Sequence, residues 1–166
     1  MTDEFESKHG FPPGNNQIRL ADHGDQEAVR VLRSDARASA DLVTFYGSIG
    51  EVSWEDVGNG YFIDPPRDVL EHFAIYGAVR VGDHQEPCGL VIGSDGGGLF
   101  YVVGPEGSVH RTRAATRDDA ELDTVADDLR HFLGLLERSL ARFVATGEQS
   151  SAPASILIWE LVTPPR

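Results

Sequence analysis

Apolar positions in the first fifty residues recur at helical spacing, and after that they alternate. Ala28, Val29, Val31 and Leu32 predict a short helix over residues 26–33, with Asp25 as its N-cap. Leu42, Phe45, Tyr46 and Ile49 predict a second helix over 39–48, capped by Ser39 and closed by Gly47 and Gly50. Val52 and Trp54 then alternate with Glu51, Ser53 and Glu55, as in a half-buried strand. Gly58-Asn59-Gly60 reads as a hairpin turn, Tyr61-Phe62-Ile63 as the return strand, and Asp64-Pro65-Pro66 as its end. Residues 67–72 predict one or two helical turns.

Three or four strands are expected next, over 78–81, 90–93, 99–103 and 109–113. Short Gly-rich breaks separate them, which makes neighbours antiparallel. The longest periodic stretch is 123–144, where Val125, Leu129, Phe132, Leu133, Leu136, Leu140 and Phe143 form one helical stripe. Leu133 stands mid-stripe as an expected core residue. Asp118, Asp119, Glu121 and Asp123 crowd the expected helix start, and Arg138 and Arg142 lie near its end, matching the macrodipole. A last strand is expected over 156–162. Residues 1–17 read as a loose tail and 18–166 as a single domain. Helices, then a strand meander, then one long helix predict an α+β fold: a mainly antiparallel sheet with helices packed on one face.

Composition narrows the function classes. The 166 residues include 14 basic and 27 acidic side chains, for a formal charge of −13. That balance argues against a nucleic-acid partner, which needs clustered Lys and Arg, and against docking on anionic membranes. No apolar run reaches membrane-helix length, and the acidic N-terminus lacks the apolar core of a signal peptide. Cytoplasmic residence is therefore expected. Cys88 is the only cysteine, so no intrachain disulfide forms. The acidic surplus exceeds the magnitude of about 2–8 that solubility needs, and fits rapid capture of a basic partner.

Candidate chemistry is sparse. Gly96-Gly97-Gly98 suits either an anion cradle or a hairpin turn capped by Asp95. Because it leads into a strand and not into a helix, the turn is the expected reading. His84 and Cys88 lack the paired spacing of a metal site, so neither metal nor cofactor is expected. Ser94, Asp95 and His110 are the one tempting hydrolase trio, but Ser94 is in no nucleophile elbow. Glu55 and Asp56 are sequence neighbours on an expected strand and so face opposite ways, unlike a catalytic carboxylate pair. Tyr46, Trp54, Tyr61 and Trp159 suit either core or interface anchors. Trp54 is the preferred anchor because Glu55 and Asp56 surround it with negative charge.

Four segments then carry a resemblance. Leu42-Val43-Thr44-Phe45-Tyr46 is followed by Ile92-Gly93-Ser94-Asp95-Gly96-Gly97-Gly98-Leu99-Phe100. Gly107-Ser108-Val109 comes next, and then Val125-Ala126-Asp127-Asp128-Leu129-Arg130-His131-Phe132-Leu133. In this order, over residues 41–136, they resemble the SUKH superfamily of fungal cell-wall-synthesis regulators and bacterial toxin-immunity proteins. The resemblance implies a non-enzymatic protein-binding module, with an immunity protein for a toxin domain, often a nuclease, as the leading reading. A cytoplasmic regulatory or scaffold domain without a toxin partner is the alternative. It implies no catalytic residues. The expected partner-binding set is Trp54, Glu55, Asp56, Tyr61, Asp95, Asp118, Asp119 and Glu121, with Gly96, Gly97 and Gly98 as a structural turn.

Overall fold

A computed structural model describes Gly14 and residues 16–56, 59–117 and 120–146, with residues 144–146 by backbone only. The fold is α+β. Seven strands form one antiparallel sheet in sequence order: β1 (Gln17–Leu20), β2 (Ile49–Trp54), β3 (Tyr61–Ile63), β4 (Leu90–Asp95), β5 (Phe100–Val103), β6 (Val109–Thr112) and β7 (Leu122–Ala126). The described residues hold four helices: α1 (His23–Ser34), α2 (Ala40–Tyr46), α3 (Pro66–Tyr76) and α4 (Leu129–Thr146). Sequence neighbours pair throughout, across short turns from β4 to β6 and across helices between β1 and β2 and between β3 and β4.

Strand alternation divides the apolar residues into two sets. Leu90, Ile92, Tyr101, Val103 and Val109 join residues from all four helices, including Leu32, Leu42, Val69, Leu129 and Phe132, in the main core. Val91 and Val102, on the other side of the sheet, form a smaller cluster with Val79 and Val81. No described helix is long and apolar enough to cross a membrane.

Several expectations change. The stretch expected to open the long helix at 123 is instead β7, and α4 starts at Leu129. Val125 lies four residues before Leu129 and so mimics one helical step. However, pairing with Val109–Thr112 satisfies the backbone of 122–126, and Asp128 starts the helix by accepting from His131 N at 2.7 Å. Asp123 is therefore no first-turn acid. On α4 the buried positions include Phe132, Leu135, Leu136, Ser139 and Phe143, and Leu133 is only partly buried.

Asp25 is not the N-cap of α1. Asp22 is, in a reciprocal capping box with Asp25 at the third helical position. Gly50 does not close a helix but belongs to β2. Residues 78–81 form no strand, only a single bridge, Val79 to Gly89. α3 continues to Tyr76, three turns where one or two were expected, with Pro66 pre-set for the first turn. Gln17 opens β1, an edge strand whose Ile18 and Leu20 are exposed, so apolar content gave no signal there. Most of the expected tail, Gly58, and the expected strand at 156–162 lie outside the described residues.

Candidate functional site

The Asp95 turn is a closed hydrogen-bonded unit. Asp95 Oδ1 accepts from Gly97 N at 3.0 Å and Leu99 N at 2.9 Å. Gly98 N donates to Asp95 O, and Gly96 N to Gly60 O. Every amide of the glycine run is thus used within the chain, which leaves no cradle for an anion. Two of the glycines have separate reasons. Gly98 has φ +87°, and a Cβ on Gly96 would sit 1.5 Å from Asn59 O.

A bulge governs which way Asp95 points. β4 pairs Val91 with Val102 and then Gly93 with Tyr101, which leaves Ile92 as an extra residue. Ile92 faces the core, and so does Gly93, so the alternation slips by one. Asp95 therefore faces the core side, opposite Tyr61. Asp95 and Tyr61 are only 4% and 3% exposed, which overturns both as surface contacts for a partner. Burial raises the Tyr61 hydroxyl pKa, and the Asp95 charge adds to the effect.

The other expected contacts divide as follows. Trp54 is half-buried and packs against the core; Glu55 is exposed beside it. Asp56 ties down the chain ahead of β1, accepting from Gly14 N at 2.8 Å and from the Asn16 side-chain amide. Glu121 ion-pairs with Arg113 at 3.0 Å, and Asp123 does so at 2.8 Å. Asp118 and Asp119 lie outside the described residues.

The tempting hydrolase trio does not assemble. Ser94 and Asp95 face opposite sides of the sheet, and His110 is two strands from Ser94. His110 is instead held at both ring nitrogens, by Ser108 Oγ at 2.9 Å and Thr124 Oγ1 at 3.1 Å. Burial lowers its pKa. Among the described residues no three His, Cys, Asp or Glu side chains are grouped to hold a metal ion.

Two polar groupings escaped the sequence. The first surrounds the end of α3. The Arg117 guanidinium stacks 4.6 Å from the Tyr76 ring and 4.3 Å from the Phe100 ring, and approaches His72 Nδ1 at 3.4 Å. Nearby, burial pushes the Asp64 pKa up to about 6; Asp68 and Glu51 add to the rise, and Arg117 opposes it. A raised carboxylate pKa means the folded state holds the proton more tightly than the unfolded chain. Ionised Asp64 therefore costs stability as pH climbs from about 4 to about 6. Asp64→Asn is expected to stabilise the protein at pH 7 by roughly 1–3 kcal/mol, with the gain gone below about pH 4. His72 and His110, both with lowered pKa, titrate in the opposite sense over an overlapping range, so the measurement is the wild-type-minus-variant difference in urea. A pH-independent difference would refute the assignment.

The second grouping is inside. Arg111 pairs in register with Tyr101 on the core side of the sheet. Arg111 is 4% exposed and Tyr101 is fully buried. Arg111 Nε and Nη1 and the Tyr101 hydroxyl are buried with no hydrogen-bond partner among the described residues. The in-register neighbour on β7, Asp123, gives its carboxylate to Arg113 instead. One signal was readable in advance: in Val109-His110-Arg111, alternation puts Arg111 on the same side as apolar Val109. No family model matches this chain, and neither does any curated protein or solved structure.

Proposed function

We propose that this chain is a SUKH-type protein-binding module that acts in the cytoplasm as an immunity protein, occluding a basic toxin domain without catalysis. One observation carries the reading. At the end of α3, Ile75 and Tyr76 are 61% and 63% exposed in a chain of formal charge −13. Asp68 and Glu71 stand exposed on the same helix. An aromatic anchor within negative charge suits a fast, tight protein interface. Stacking of Arg117 on Tyr76 orders the ring in advance, which lowers the entropy lost on binding.

The test is capture of a partner from the native host, followed by binding kinetics at two salt concentrations. Exposed charges are screened beyond about 8–10 Å at physiological ionic strength, so the association rate is expected to fall about tenfold or more at high salt. Dissociation should change little with salt. Tyr76→Ala is expected to speed dissociation by more than about tenfold, as for a hot-spot residue. A salt-independent association rate would remove the electrostatic part of the proposal. Failure to recover any protein partner would remove the immunity reading.

A further inference from the structure

Arg111 is a charged group in an unusual position. Guanidinium groups seldom go below a tenth exposed without a carboxylate or several carbonyl partners, because desolvating a cation is expensive. Here two of its nitrogens have no partner among the described residues, and the adjacent Tyr101 hydroxyl has none there either. All three atoms belong to in-register neighbours on β5 and β6, so their donors share one region on the core side. Among the described residues, neither of the acids nearest in the fold hydrogen-bonds Arg111 Nε or Nη1. Asp123 serves Arg113, and Asp95 gives Oδ1 to two turn amides. Buried donors are satisfied in the great majority of native proteins, so three together at one place point to an acceptor that the described residues do not supply.

The chemistry of that acceptor follows from the donors. A guanidinium with an adjacent phenol matches a planar oxyanion that accepts several hydrogen bonds at once. Asp95 limits its charge. Its carboxylate is close enough to act on both Tyr61 and Tyr101, so a dianion would meet stronger repulsion than a monoanion. Depth limits its size, since Arg111 and Tyr101 are almost wholly covered. We propose that Arg111 and Tyr101 form a binding site for a small monocarboxylate, separate from the protein-binding surface at Tyr76.

The experiment is thermal unfolding of the full chain at pH 7, with sodium acetate as the probe. Sodium chloride at matched ionic strength is the control, and sodium phosphate, a mixture of monoanion and dianion at this pH, is the more highly charged, non-planar arm. Acetate is expected to raise the midpoint along a saturating curve, by roughly 5–10 °C at a hundredfold excess over its Kd. Chloride should give no saturable rise, and phosphate a smaller one than acetate. Arg111→Met, similar in length but uncharged, should abolish the acetate response. Tyr101→Phe removes one oxygen and keeps the core filled, and is expected to weaken acetate binding about tenfold. Equal responses to acetate and chloride would overturn the proposal, as would a wild-type acetate response in Arg111→Met. If Arg111→Met does not fold, Tyr101→Phe decides, and an unchanged acetate affinity there overturns the proposal. A phosphate response stronger than acetate's would overturn the monocarboxylate assignment.

Discussion

Phe132→Ala is expected to destabilise the protein by about 3–5 kcal/mol, the range for emptying a fully buried aromatic position. Phe132 is on the second turn of α4 and is fully buried. Its ring centroid is 4.9 Å from that of Tyr101 at a tilt of 58°, an arrangement that adds to the energy of burial alone. The truncation therefore removes packing between α4 and the middle of the sheet, where β5 is flanked by β4 and β6. A rigid, close-packed core does not collapse fully around such a loss. Urea unfolding at pH 7 measures the effect as a shift in midpoint at constant slope. A loss below about 1 kcal/mol would mean that α4 does not pack on β5 in this way. Leu133→Ala, one residue on, is the internal control and should cost less, because Leu133 is only partly buried.

Replacing Asp25 is the second change with a large expected effect. Its side chain is fully buried and binds Arg19 Nη1 at 2.5 Å, with the Asp22 amide donating to it at 2.9 Å. These contacts tie edge strand β1 to the first turn of α1. Glu51 of β2 adds a third point at 3.3 Å from Arg19. Gly50 makes room for the pair, since a Cβ there would sit 2.5 Å from both Arg19 Nη1 and Asp25 Oδ2. The hydrogen bond to Arg19 is the main reason the Asp25 carboxyl is held below its ordinary pKa, against the opposing effect of burial. Breaking a buried pair from one side typically costs about 3–5 kcal/mol, and Asp25→Asn is expected to fall in that range at pH 7.

The sign with pH follows from the depressed pKa. The unfolded chain binds the proton more readily, so the stabilisation is present above about pH 4 and lost as pH falls below it. The difference between wild type and Asp25→Asn should therefore be constant from pH 5 to 8 and shrink under acid. A gap that closes instead between pH 5 and 7 would show that another group controls it. Asp22→Ala, removing the exposed half of the capping box, should cost only about 1 kcal/mol.

Local patterns were sufficient for much of this fold. Ser39 caps α2, with Leu42 N donating to its Oγ, because a hydroxyl before an apolar period is a local instruction. Gly47 ends that helix for an equally local reason. Alternation and short turns were enough for the β2–β3 hairpin and for the antiparallel order of β4 to β6, whereas the expected strand at 78–81 is only a bridge and the β3–β4 pairing spans a helix. Asp95 and the three glycines specify their own turn within five residues. The α+β class follows from these elements by themselves.

The tertiary structure alone decided the rest, because the rest depends on partners distant in sequence. Residues 123–126 read as helix until the free edge of β6 is there to pair with them. β1 has only Ile18 and Leu20 as apolar residues, both exposed, and it is held by β2 and the Arg19–Asp25 pair. Which side a strand residue faces is settled by register, and bulges reset register. Without the extra residue in β4, Asp95 would point away from the core; with it, Asp95 joins Tyr61, Tyr101 and Arg111 on the core side. The sequence by itself thus determined which segments are strands, helices and turns through most of the chain. The buried Arg111–Tyr101 pair and the exposed Tyr76 exist only once the pairing is made, because a side chain's burial depends on what covers it and not on its own neighbours in the chain.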